Sequence, residues 1–140
     1  MSKKRVVVTG LGVVSCFGTD LDLFYQALLR GESGVKLITK FPCDTYSTRF
    51  AAFIEEFDPG EDVDKKQARR VDPCIAYTLV AGKKALRHSQ FDPNSLLESE
   101  RGRYGVIVGS GMGGMGVFCQ GVQDLLEKGQ KKVSPFFVPF

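Results

Sequence analysis

The chain has 140 residues, enough to bury one core, with 43% hydrophobic residues, 25% charged residues and a formal net charge of +3. That charge is too mild to imply a nucleic-acid partner by itself, and no apolar run approaches the roughly 18 residues of a membrane span. Cys16, Cys43, Cys74 and Cys119 are scattered without a C-x-x-C pair, which argues against metal ligation and suits a reducing intracellular compartment.

Residues 1–10, MSKKRVVVTG, start basic but carry only a short apolar run, so they read as a first strand over 5–9 and not as a signal peptide. Thr19 and Asp22 form a helix-start signal. Leu21, Phe24 and Leu28 follow at helical spacing, and Gly31 sits where a helix ends. Residues 31–48 are rich in turn formers, and 49–54 read as a second, less buried strand.

The acids between Glu55 and Asp64 lack apolar neighbours and read as a solvated run, which passes into the basic Lys65, Lys66, Arg69 and Arg70. Asp72 as N-cap and Pro73 at the first helical position open a longer helix. Ile75, Leu79, Gly82 and Leu86 form one of its faces, with close packing expected at Gly82, while Lys83, Lys84 and Arg87 fall elsewhere on its surface. His88, the one histidine, is expected as an exposed residue at the helix C-terminus, favoured by the dipole. After a polar loop over 89–102, residues 104–108 read as a buried strand, and a helix runs from about 114 to 128 with Phe118, Val122 and Leu125 on one face. Strands and helices in alternation, with glycine turns after strands, indicate an α/β architecture.

The glycine turn GSGMGGMG at 109–116 places Gly109, Gly111 and Gly114 at the spacing of a dinucleotide-binding loop. That motif also needs an acid at the end of a following strand. Asp124 and Glu127 instead fall inside the expected helix, so a nucleotide site is disfavoured. No glycine turn continues into Gly-Lys-Ser/Thr, which excludes a P-loop. Cys16 follows the first strand and is the best-placed nucleophile by position, yet His88 is the only imidazole base and a structural cysteine is the simpler reading. The hydrophobic, proline-bounded end, SPFFVPF, suggests a chain that stops short of a complete domain, with a final strand tucked into the core as the alternative.

Four segments, RVVVTGLGVVS, KKQARRVDPCIAYTLVAGKKAL, GVIVGSGMGGM and KKVSPFFVPF, together resemble the elongating β-ketoacyl-acyl-carrier-protein synthases (3-oxoacyl-ACP synthases, type II branch) in order and spacing. The resemblance implies a thiolase-like α/β fold, present here only as most of its N-terminal half, residues 1–140, within a homodimeric enzyme. It implies a decarboxylative Claisen condensation between an acyl-enzyme and malonyl-ACP. The family's nucleophilic cysteine and two histidines are expected beyond Phe140, so no catalytic residue is assigned within the chain and the fragment alone is expected to be inactive.

By the same resemblance, Met112 and Phe137 match acyl-pocket positions, Phe137 reaching the partner subunit's pocket. Ordinary core filling for Met112, and burial of Phe137 within its own subunit, are the plainer alternatives. Lys66, Arg69, Arg70, Lys131 and Lys132 match positions that dock an acidic acyl carrier protein, against the alternative of a solvated face partly neutralised by the acids at 55–64. No cofactor or metal is expected on the chain itself; the phosphopantetheine arm arrives on the carrier protein, bearing acyl and malonyl thioesters. The expected compartment is a bacterial cytoplasm, or alternatively the plastid stroma. Three rivals remain: a chain-length-factor-like homologue without the nucleophile, a non-catalytic carrier-binding module, and, most weakly, a nucleotide-dependent oxidoreductase.

Overall fold

The structure is a computed structural model, and it describes residues 3–68, 70–134 and 137. Its longest element is the helix over Pro73–His88. Helix α1 (Leu21–Leu29) comes first, then strands β1 (Val35–Leu37) and β2 (Phe50–Ala52), which pair antiparallel with Val35 opposite Ala52 and Leu37 opposite Phe50. The short α2 (Lys65–Ala68) leads into α3 (Pro73–His88), a 3₁₀ turn (Pro93–Ser95), the short α4 (Glu98–Arg101), α5 (Met115–Lys128) and a final 3₁₀ turn (Gln130–Lys132).

Helix α3 starts where Asp72 and Pro73 predict. The Asp72 carboxylate accepts the Cys74 amide at 3.1 Å, and proline at the first position removes a donor that would have had no partner. Ala76 and Val80, on the inner face of α3, are buried with Val63, Val71, Cys43 and Ala27 of α1. Helix α1 is capped by Asp20, whose Oδ1 accepts the Leu23 amide at 2.9 Å, and not by Thr19 with Asp22. Thr19 is engaged elsewhere: its Oγ1 and carbonyl oxygen both accept from Lys84 Nζ, at 2.8 and 2.7 Å. Gly31 follows the C-cap residue Arg30 with φ +66°, the conformation its position predicts.

The two segments expected as buried strands form no ladder. Residues 5–9 and 104–108 pair with no strand among the described residues, with Val6 90% and Ile107 99% exposed. A β-branched run becomes a strand only when neighbours supply hydrogen bonds on its edges and cover on its faces. The sheet among the described residues is the two-stranded β1–β2 ribbon.

What does hold the first segment is close approach. A Cβ at Gly12 would lie 2.0 Å from the Ala81 carbonyl oxygen, and one at Gly10 would lie 2.2 Å from that of Ala85. Two glycines spaced by one residue thus let the backbone lie directly on α3. Gly82, where close packing was expected, faces open space instead. Residue 104 is tied to the end of α3 through Tyr104, which stacks on Phe91 at 4.9 Å between ring centroids and 6° between planes.

Candidate functional site: the turn before α5 and its basic surroundings

The GSGMGGMG turn leads into α5, whose N-cap position is Gly114. Ser110 Oγ accepts the Gly113 amide at 2.9 Å, tightening the turn. Met112 is 74% exposed and lies at the mouth of a cavity of about 320 Å³ lined also by Gly114, Met115, Val117, Phe118 and Phe137. The two residues assigned to an acyl pocket from sequence therefore meet in one apolar cavity of a single chain. The Phe137 ring lies 5.8 Å from that of Phe118, with 28° between the planes. A Cβ at Gly121 would sit 2.3 Å from this ring, so the bare backbone there seats Phe137 against α5.

Asp72 borders the same region. Its Oδ2 accepts the Gly116 amide at 2.9 Å and the Val117 amide at 3.4 Å, so one buried side chain serves the N-termini of both α3 and α5. Burial acts to raise its pKa, but the amides of Cys74, Val117 and Gly116 outweigh that and hold it below the usual carboxylate value. Beside it the half-buried Cys74 thiol is pushed up, by burial first and then by the Asp72 carboxylate, which is opposite to what a thiolate nucleophile needs.

One sequence reading beside α3 needs correction, and three others gain partners that the sequence did not show. Asp62 is not part of a solvated acidic run: it is 6% exposed and takes both terminal nitrogens of Arg87, Nη1 on Oδ1 and Nη2 on Oδ2 at 2.9 Å. The Arg87 hydrogen bond holds Asp62 below its ordinary pKa against the opposing effect of burial. Lys83, Lys84 and Arg87 lie away from the buried face, as expected, and each has a partner: Lys83 Nζ donates to the Asp62 carbonyl, Lys84 to Thr19 and Arg87 to the Asp62 side chain. His88 is exposed at the C-terminal end of α3, as expected, but its Nδ1 accepts the Leu11 amide at 2.9 Å and so ties down the first segment. Cys16 packs at Gly34, where a Cβ would lie 2.2 Å from its Sγ.

Of the basic positions, Lys66, Arg70, Lys131 and Lys132 are exposed, and Arg69 lies outside the described residues. Lys66 belongs to α2, and Lys131 and Lys132 to the final 3₁₀ turn. Several of the acids at 55–64 have partners of their own. Glu55 pairs with Lys36 at 3.3 Å, Asp62 with Arg87, and Asp64 Oδ1 accepts the Lys66 and Gln67 amides at 2.9 and 3.1 Å. A cavity of about 480 Å³ lies near this basic segment, lined by Phe57, Pro59, Ala68, Ala76 and Tyr77 among others.

Residues 3–140 match the family described as beta-ketoacyl synthase, N-terminal domain. The chain belongs to this family. Among curated relatives, the chloroplastic 3-oxoacyl-[acyl-carrier-protein] synthase I of Arabidopsis thaliana is 48% identical over 138 residues, covering 99% of this chain and 29% of the relative. The 3-oxoacyl-[acyl-carrier-protein] synthase 2 of Vibrio cholerae is 45% identical over 139 residues, covering 99% of the chain and 33% of the relative. The chain thus spans about a third of the length of these synthases.

In solved structures, the ishigamide ketosynthase/chain length factor superposes with a TM-score of 0.72 over 97% of this chain and 33% of its own, at 22% identity. A beta-ketoacyl synthase from Burkholderia phymatum STM815 gives a TM-score of 0.64 at 26% identity, over 96% of this chain and 33% of its own. The thiolase-like α/β fold expected from sequence is therefore present over the part of it that this chain covers, even though two of its expected strands form no ladder here.

Proposed function

We propose that the chain is the N-terminal part of an elongating 3-oxoacyl-ACP synthase, supplying one wall of the acyl pocket and part of the carrier-protein docking surface. In the reaction of the whole enzyme, an acyl group moves from the carrier thiol to an enzyme cysteine. Loss of carbon dioxide from malonyl-ACP then leaves a carbanion that attacks the acyl thioester. The products are the freed thiol of the first carrier, 3-oxoacyl-ACP, carbon dioxide and the regenerated, reprotonated cysteine thiol. The cysteine and the imidazoles that stabilise the carbanion are supplied outside these 140 residues, and the 140-residue chain alone gives no condensation product.

The observation that carries this reading is the cavity shared by Met112 and Phe137 at the start of α5. A flexible, polarisable methionine beside stacked phenylalanines suits an alkyl chain and offers nothing to a phosphate. The names of the relatives support ACP as the carrier, and the exposed Lys66, Arg70, Lys131 and Lys132 suit its acidic surface. The phosphopantetheine arm would come with the carrier. Homodimerisation of the whole enzyme, with Phe137 near the subunit boundary, belongs to the same reading. Similar proteins come from a chloroplast and from a bacterium, which supports a bacterial cytoplasm or the plastid stroma as the compartment. No helix among the described residues is long and apolar enough to cross a membrane.

The test is the length distribution of acyl products made by the whole enzyme with Met112→Phe. Phenylalanine fills space at the mouth of the cavity, so products shorten and kcat/KM for long acyl donors falls about tenfold or more, the scale of overpacking by roughly 1–3 kcal/mol. An unchanged distribution would reject Met112 as a pocket residue. A whole protein with a residue other than cysteine as its nucleophile would favour the chain-length-factor reading.

A further inference from the structure

Helix α5 has 14 residues but no side-chain cap of its own, because its N-cap is Gly114. Its first amides are answered instead from another helix. Asp72, 6% exposed, spends Oδ1 on the Cys74 amide of α3 and Oδ2 on the Gly116 amide, 44 residues further along the chain. Val117, whose amide also points at Oδ2, lines the cavity that Met112, Met115 and Phe118 share with Phe137. Gly116 matches this arrangement, since a Cβ there would come within 3.0 Å of Oδ2.

We propose that Asp72 is a positioning residue for the acyl pocket: by capping α3 and α5 with one carboxylate, it fixes the Met112–Phe118 wall against α3 and so sets which acyl lengths fit. The inference rests on the reading of that cavity as the acyl pocket. Asp72 itself touches no substrate; it acts through the amides of Gly116 and Val117. An exposed turn of glycines and methionines has little packing to hold it, and the Ser110–Gly113 hydrogen bond is internal to the turn. The buried carboxylate is what refers that turn to the rest of the fold. Asp72 also lies just after the docking segment of Lys66 and Arg70, so the first turn of α3 joins the carrier surface to the pocket wall.

The experiment measures, in the whole enzyme, the ratio of kcat/KM for a long-chain acyl-ACP to that for a short-chain acyl-ACP, in wild type, Asp72→Ser, Gly116→Ala and Met112→Phe. Serine is a good N-cap for α3 but is too short and has too few acceptors to serve α5 as well. With Asp72→Ser the ratio shifts about fivefold, the factor one lost cap represents, while KM for malonyl-ACP stays at its wild-type value. A general loss of folding would lower both donors and the malonyl step together and leave the ratio alone. If Asp72→Ser does not fold, Gly116→Ala, which only crowds Oδ2, decides the question by the same ratio. A wild-type ratio in the deciding variant, with the ratio moved by Met112→Phe, overturns the positioning role and leaves the pocket reading intact. A wild-type ratio in Met112→Phe overturns the pocket reading and this inference with it.

Discussion

Asp62 and Asp72 are both buried carboxylates, and each remains ionised for a different reason: a guanidinium in one case, three backbone amides in the other. Both are held below the ordinary carboxylate value in the folded chain. A depressed folded pKa means that the unfolded chain takes up the proton first as pH falls. The stabilisation is fully present above the unfolded value of about 4 and is lost as pH drops through the lower, folded values. Urea midpoints of this chain should therefore hold steady from pH 7 to about 5 and fall below pH 4. Asp62→Asn should lower the midpoint at pH 7 and flatten the acid limb, because it removes a group that drives the loss. An acid limb as steep as wild type in that variant would show that Asp62 does not contribute to it. From sequence, Asp72 was readable as a cap, because capping is decided within three residues. Its second partner was not, because α5 lies 44 residues away and only a fold brings it close. The signal that could have found it is the absence of Ser, Thr, Asp or Asn at the start of α5, which leaves amides to be satisfied from outside.

At the scale of elements, the three longer helices and the strand within 49–54 were legible, whereas the strands expected at 5–9 and 104–108 do not form. The interior hydrogen bonds of α3 and α5 run within each helix, so periodicity places both closely, although only α3 carries its own N-terminal cap signal. Residues 5–9 and 104–108 have strand composition, but a strand also needs partners, and composition cannot say whether these are present. The glycines illustrate the same limit. Gly82 lies inside a helix, where close packing is expected, whereas Gly10 and Gly12 follow the run at 5–9 and carry no packing signal of their own. The structure reverses the roles, with Gly82 open and Gly12 pressed on the Ala81 carbonyl. Gly82→Ala should accordingly stabilise the chain by about 0.5–1 kcal/mol, through helix propensity alone. Gly12→Ala should destabilise it by about 1–3 kcal/mol, since a Cβ must push the first segment off α3. Thermal melts of the two variants check this, and a shift in the same direction for both would contradict the packing described.

For the whole molecule, two surface features have opposite consequences. Val6, Val8, Val106 and Ile107 are largely exposed and apolar, so the isolated chain should bind a hydrophobic dye in its folded state and self-associate as concentration rises. The basic residues Lys66, Arg70, Lys131 and Lys132 are exposed and charged, and the acids of 55–64 that have described partners spend them on Lys36, Arg87 and helix amides. Their field is therefore available to an acidic partner. Attraction between exposed charges is screened over a Debye length of about 10 Å at 0.1 M salt, and apolar contact is not weakened in that way. Under the proposed docking role, raising salt should thus separate two behaviours: association with an acidic carrier protein weakens, while self-association persists. Lys66→Glu with Arg70→Glu should reduce the association rate with the carrier about tenfold at low salt and flatten its salt dependence, because charge near an interface acts mainly on encounter. Stopped-flow association at 20 and 200 mM salt reads both effects. A wild-type salt slope in the reversed-charge variant would place carrier docking away from α2, whatever the role of Lys131 and Lys132.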